Sequence, residues 1–327
     1  MLAPFNRISL VAVSPLLMLA IGCGDRGTAH TTSVAGSVTV DTSVPSPTTA
    51  NSAPVAVTPK VVAYSDAESA FQAGRYDEAA QLFTAYTERK PDNPWGYYML
   101  GLSSWKSGNL AQADVAFGEA LKLDPRHQKS LLNSARVLIE LGRTDEALDR
   151  VQAALTLDSA SAESWRVLGR TQVELGKTDE AIDAFQHAIA LDDHDVWAMN
   201  NLALIYIQQG CPAEALAPLA RATQLKPGAP VFQNNLGQAL EATGHPAAAE
   251  QAYQAALHAD STYQKAAIAL ARVSARGEDS TEAPVDLVTL ARDFQAGVEQ
   301  WRDSLSRDTG MARDSTPEVV SGPESEH

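Results

Sequence analysis

Small and apolar residues recur along this chain with a period of 34 positions. Gly74, Gly108, Gly142, Gly176, Gly210 and Gly244 set the register. Five residues after each glycine stands an alanine, and nine residues after it a bulky apolar residue: Phe83, Phe117, Val151, Phe185, Leu219 and Tyr253. A strict period of this length predicts a stack of similar supersecondary units rather than one globular core. Within each unit the pattern predicts two antiparallel helices. Small residues at the eighth position (Gly101, Ala135, Gly169, Ala203, Gly237) let the pair approach closely, and the bulky residues fill the space between pairs. The repeated glycine is expected to end the first helix in a left-handed conformation, and Pro125 and Pro227 to close second helices. Pro212 and Pro246 fit a first helical turn, where the missing N–H is harmless. Pro218 falls deeper, where it is expected to remove one backbone bond and kink its helix at a cost of about 3 kcal/mol unless neighbours compensate.

The fuller pattern is clearest where Tyr97-x2-Leu100-Gly101 leads to Ala113-x3-Phe117 and Pro125, and where Trp165-x2-Leu168-Gly169 leads to Ala181-x3-Phe185. It resembles the tetratricopeptide repeat (TPR), over residues 60–263. The resemblance implies an all-α TPR solenoid of about six helix-turn-helix repeats. Asp66 and Ala67 in the first repeat depart from the expected leucine and glycine and read as a solvent-facing cap. Residues 264–277 restart a first helix without a second and read as the other cap. Within 278–306, Leu287, Ala291, Phe294, Val298, Trp301 and Leu305 form one apolar stripe of an amphipathic C-terminal helix. Docking back on the last repeat is its ordinary reading, and pairing with another chain or a partner the alternatives. Residues 307–327 read as a disordered tail.

The first 22 residues read as a signal peptide: Arg7 is basic, residues 8–21 are apolar, and Ala20-Ile21-Gly22 precedes Cys23. That junction resembles the lipobox of bacterial lipoproteins, with Ala20 in place of the usual leucine. The resemblance implies lipidation of Cys23, a protein facing the periplasm, and an outer-membrane location where the source has two membranes. Residues 23–59 then form a tether rich in Thr, Ser, Val, Ala and Pro that cannot bury a core. With Cys23 acylated, Cys211 has no partner for an intramolecular disulfide. Partial burial as a small hydrophobe is expected of Cys211, with pairing between chains the alternative.

Charge separates classes of partner. Residues 60–263 carry 16 basic and 26 acidic side chains, and the whole chain has a net charge of −15, which disfavours nucleic acid and anionic lipid. Resemblance to TPR proteins implies a concave groove lined by first helices. There the residues 129, 136, 166 and 170 (Lys129, Arg136, Arg166, Arg170) form a basic middle beside an aromatic beginning of Trp95, Tyr98, Leu102 and Trp105. Exposed aromatic clusters usually mark binding, and this pair of surfaces suits a peptide with hydrophobic anchors and acidic groups. A glycan or cell-wall module stacking sugars on Trp95, Tyr98 and Trp105 is the functional alternative; the structural ones are that one or more of the rings packs between repeats and that the basic residues are ordinary solvated helix surface.

Some TPR domains clamp a terminal carboxylate with lysines and asparagines, but Val231 stands where a clamp lysine would follow Asn201. Asn133, Asn201 and Asn235 also resemble the asparagine ladder of TPR-bearing glycosyltransferases, without the catalytic domain that follows there. The chain has no nucleophile elbow, phosphate-binding glycine loop, His-Glu-x-x-His or Cys-x-x-Cys. The cluster Asp192-Asp193-His194-Asp195 reads as a solvated acidic turn, and pairs such as Asp145-Glu146 as helix starts. No cofactor or metal and no catalysis is expected. The expectation is a membrane-anchored scaffold for protein or peptide partners, resembling pilotins or adaptors of cell-wall hydrolases, with oligomerisation through the C-terminal helix or Cys211 left open.

Overall fold

All six repeat glycines adopt a positive φ, between 71° and 86°. Around each of them the same pair of bonds closes the preceding helix: Gly108 N–H donates to the Trp105 carbonyl at 3.0 Å, and Asn109 N–H reaches back to Ser104 at 2.8 Å. Only a residue without a side chain adopts this left-handed cap at little cost, so the period in sequence becomes a period of helix ends. The computed structural model describes residues 63–275 and 284–308. The signal peptide, Cys23, the tether and residues 309–327 of the tail lie outside the described residues.

The described residues form helices throughout: α1 (Tyr64–Gln72), α2 (Tyr76–Arg89), α3 (Pro94–Lys106), α4 (Leu110–Leu123), α5 (Gln128–Glu140), α6 (Thr144–Leu157) and α7 (Ala162–Glu174). They continue with α8 (Thr178–Leu191), α9 (Val196–Gln208), α10 (Pro212–Leu225), α11 (Pro230–Ala242), α12 (Pro246–Ala259), α13 (Gln264–Ser274) and α14 (Leu287–Asp308). The first twelve pair into six repeats, and α13 packs on α11 and α12. The fold is all-α, a TPR-type solenoid.

Each repeat closes on one steric pair. A Cβ added to Gly101, Gly169 or Gly237 would lie 2.6 to 2.7 Å from the ring of Phe117, Phe185 or Tyr253, so the ring sits directly on the glycine. Where alanine replaces that glycine, at Ala135 and Ala203, the facing residue shrinks to Val151 and Leu219, all fully buried. The first repeat breaks this rule with Ala67 and Phe83, both fully buried.

Curvature follows from which helices touch. Consecutive first helices contact one another from α1 to α13, whereas among the described residues no two second helices do. The first helices therefore form the concave wall and the second helices splay apart outside. Into the outer gap between α8 and α10 lies α14, which seals Phe294 and Val298 into a core shared with Phe185, Ile189 and Ala222. Its position corrects the expectation that it folds onto the last repeat, because the gap opened by curvature, and not the end of the stack, matches its stripe. That stripe is consequently occupied within the chain, which removes it as an exposed surface for oligomerisation. Asp193 secures the contact, accepting from Gln295 Nε2 at 3.0 Å and Arg302 at 3.3 Å, while Arg302 Nε donates to the Ala190 carbonyl.

Pro218 does not break its helix. α10 runs 14 residues through the buried proline, the same length as the neighbouring second helices α8 and α12. Cys211 is exposed, correcting the expected partial burial; it precedes α10 in a tight turn. No described helix is long and apolar enough to cross a membrane.

Candidate functional site

The concave wall begins on α3. Asn93 caps this helix by accepting from the backbone N–H groups of Trp95 and Gly96. The cap leaves the Trp95 ring 46% exposed at the start of the wall. Its ring meets the edge of His127 at 4.5 Å, and Lys129 Nζ lies 5.6 Å from its centroid. Tyr98 departs from the expected exposed wall, being only 8% exposed. It packs against Phe117 and His127, and Asn133 Nδ2 donates to its hydroxyl at 3.4 Å. Burial chiefly, with Glu163 nearby, pushes its phenol pKa up. A ring at this position is long enough to lean into the joint between repeats, which its exposure-blind spacing does not show. Leu102 and Trp105 are half-buried beside the same cluster, and Trp105 Nε1 donates to Glu140 at 3.1 Å. Trp105 is thus tied across two repeats and is not a free anchor.

The basic middle is mostly neutralised from within. Arg136 donates to Asn133 at 2.7 Å and to Glu163 at 2.6 Å. Arg166 Nε donates to Asp195 at 2.8 Å, and Asp195 also caps α9 through the Ala198 N–H. Arg170 differs. Although half-buried, it has no hydrogen-bond or ion-pair partner among the described residues. Its pKa is lowered, first by burial and then by the like charges of Arg136 and Arg166, only partly offset by Glu140 and Glu174.

Arg170 borders a cavity of about 160 Å³ between α7 and α9, walled by Val173, Phe185, Leu204 and Ile205 and rimmed by Glu174, Asn201 and Gln208. The asparagines explain why this place is open. Asn133 reaches back to Tyr98, and Asn235 Nδ2 donates to Asn200 Oδ1 at 2.7 Å, each crossing from one first helix to the one before. For Asn201 the corresponding residue on the preceding helix is Arg166, already held by Asp195. Its amide therefore has no partner among the described residues.

One aromatic group escaped the sequence reading. Trp197, on α9, is 45% exposed, meets Phe232 at 4.9 Å, and carries Lys226 Nζ at 5.9 Å from its ring. It lies three periods after Trp95, and that register is the signal that could have found it. The acidic turn is the remaining candidate for chemistry: ligand atoms of Asp192, Asp193 and His194 lie within 4.8 Å of one another. Asp193 is already committed to α14. Burial opposes but hydrogen bonds from Gln295, His194 and Arg302 prevail, holding its carboxyl below the usual range.

Tetratricopeptide repeat models match the chain over residues 126–194, over 96–127, and over 63–94, 166–230 and 234–299. The chain belongs to the tetratricopeptide repeat family. No curated protein matches the sequence. Among solved structures, this TPR chain is similar to a thermophilic TPR protein of Thermus thermophilus, at 20% identity and a TM-score of 0.50, covering 56% of this chain and 100% of that one. It is similar to PilF of Pseudomonas aeruginosa at 21% identity and a TM-score of 0.51, covering 69% and 95%. The Cut9-Hcn1 hetero-tetramer of the APC/C gives 17% identity and a TM-score of 0.57, over 64% and 42%. At these identities the likeness is one of fold. The TPR fold is that of a scaffold for protein–protein contacts.

Proposed function

We propose that this protein is a lipid-anchored scaffold that binds protein or peptide segments along its concave wall and performs no catalysis itself. The observation that carries the reading is the equivalent pair of exposed tryptophans, Trp95 and Trp197, each beside a lysine and each on the same side of the first-helix wall. Large rings held on rigid helices are the residues that dominate binding energy at protein interfaces. Lys129 and Lys226 put a positive charge beside these rings, at 5.6 and 5.9 Å from their centroids, which suits a peptide with acidic groups better than an uncharged glycan. The anchor rests on the lipobox-like Ala20-Ile21-Gly22-Cys23. A periplasm-facing, pilotin-like or hydrolase-adaptor-like role in envelope assembly fits that anchor, with the outer membrane as the site where the source has two membranes.

The test is capture of partners from native envelope extract by the parent chain and by the Trp95→Ala/Trp197→Ala variant. Partners of the concave wall are expected to weaken by about 2 kcal/mol or more for a central anchor, roughly 30-fold, at unchanged thermal stability. Partners retained in full by the variant would move the binding surface elsewhere. Displacement of the bound material by uncharged cell-wall fragments would instead favour the glycan reading.

A further inference from the structure

The N-cap residues of the first helices from α3 to α13 stand one period apart: Asn93, His127, Ser161, Asp195, Ala229 and Tyr263. Asn93, Ser161 and Asp195 cap with short side chains that keep one charge state near neutral pH. His127 caps with an imidazole, which does not. Its Nδ1 accepts from the Ser130 N–H at 3.2 Å, so the ring is neutral and carries its proton on Nε2. That Nε2 is buried without a partner among the described residues, in a residue only 7% exposed. Against the imidazole lie the rings of Trp95 and Tyr98, with centroids 4.5 and 5.1 Å away.

A second ring proton disturbs this arrangement in two ways. Nδ1 becomes a donor facing the Ser130 N–H, so the cap of α5 is lost. The new charge is buried, and its Nε2–H has no acceptor among the described residues. Lys129 on α5 repels that charge and Asp124 at the end of α4 attracts it, while the Tyr98 phenol of α3, its pKa raised, stays neutral. Burial prevails, so the folded chain keeps the neutral ring until the pH falls below 6.5.

We propose that His127 is a pH-sensitive latch on Trp95: neutral, it caps α5 and holds the indole at its edge; protonated, it leaves the cap and frees that ring. The inference rests on the concave-wall reading and names a regulation of that wall. A ring fixed in advance binds better than one that must be ordered on binding, so release weakens the hold. Trp197 provides the contrast. It repeats Trp95 three periods later, but Ala229 stands where His127 would be, and its ring meets Phe232 instead. Acid therefore releases one tryptophan and leaves the other in place.

Fluorine NMR of the full-length chain with its five tryptophans as 5-fluorotryptophan tests the latch, with Trp95→Phe and Trp197→Phe assigning two of the signals. Between about pH 7.5 and pH 5 the Trp95 signal should shift with a midpoint below 6.5, matching the titration of the His127 ring followed by its carbon-bound protons. The Trp197 signal should stay in place. In His127→Asn, which keeps a capping acceptor, the Trp95 signal should not move. If that variant folds poorly, the two tryptophans of the parent decide alone. A His127 ring still neutral at pH 5, a Trp95 signal that holds still while His127 titrates, one that moves equally in His127→Asn, or one that moves only together with Trp197 would overturn the proposal. Capture from envelope extract separates the latch from the wall. Partners that Trp95→Ala loses at pH 7.5 should bind the parent about fivefold or more weakly at pH 5, and bind His127→Asn alike at both. If the parent keeps such a partner at pH 5, the wall stands and the latch falls. If Trp95→Ala loses none, the wall reading falls and the fluorine signals still decide the latch.

Discussion

At the scale of single residues, one of the tightest tolerances is the contact of Phe185 with Gly169. Adding one methyl at Gly169 would place a carbon 2.7 Å from a ring that is fully buried. Gly169→Ala is therefore expected to destabilise the repeats by about 1–3 kcal/mol. The fifth repeat supplies the remedy, since it pairs Ala203 with Leu219. Gly169→Ala combined with Phe185→Leu should recover most of the loss, a coupling visible in a double-mutant cycle by denaturant unfolding. Strict additivity of the two changes would show that the pair is not in contact. His127 offers a second test. Its Nδ1 accepts from the Ser130 N–H at 3.2 Å to cap α5. Burial, assisted by Lys129 and opposed by Asp124, holds its pKa below the ordinary 6.5. The folded state thus prefers the neutral ring, and below about pH 6.5 the unfolded chain takes up the proton more readily. The contribution is complete above that pH and is lost as pH falls toward the folded-state value. Against His127→Asn, which keeps a capping acceptor without titrating, the parent should lose stability between pH 7 and pH 5. A parent–variant difference independent of pH would contradict this.

At the scale of elements, what the sequence reveals depends on how local the cause is. The left-handed caps at Gly74 to Gly244 and the prolines opening α10 and α12 are consequences of one residue's sterics, so the register could be read directly. The concave residues were placed on the right helices but not in the right state. Tyr98 turns inward, Trp105 is tied to Glu140, and Arg136 and Arg166 meet Glu163 and Asp195 about one repeat downstream, pairings that no spacing rule announces. Least legible was the seat of α14. Its stripe is plain, but the gap that receives it exists only because second helices splay as the stack curves. Since Phe294 and Val298 share a core with Phe185, which also walls the Arg170 cavity, α14 braces the fourth and fifth repeats from outside. Phe294→Ala should cost about 3 kcal/mol of docking. By hydrogen exchange, amides within Leu287–Asp308 should then open about two orders of magnitude more often, while α3 and α5 keep their protection. Unchanged protection of α14 would mean that the stripe does not hold it.

At the scale of the molecule, the proposed anchor precedes the repeat stack in the chain. Mass spectrometry of the membrane fraction should find an acylated Cys23 at the mature N-terminus, and Cys23→Ser should release the chain while its repeats fold normally. A variant that stays in the membrane fraction would remove the lipid from the account. The central claim concerns the wall of first helices, and it is tested most directly by placing a photoreactive benzoyl-phenylalanine at Trp197, or at the outward-facing and exposed Val115 of α4, in the native envelope. Partners bound along the concave wall should cross-link from position 197 and not from position 115, with the products diminished by Trp95→Ala. Cross-links that form from position 115 and are absent from 197 would contradict it.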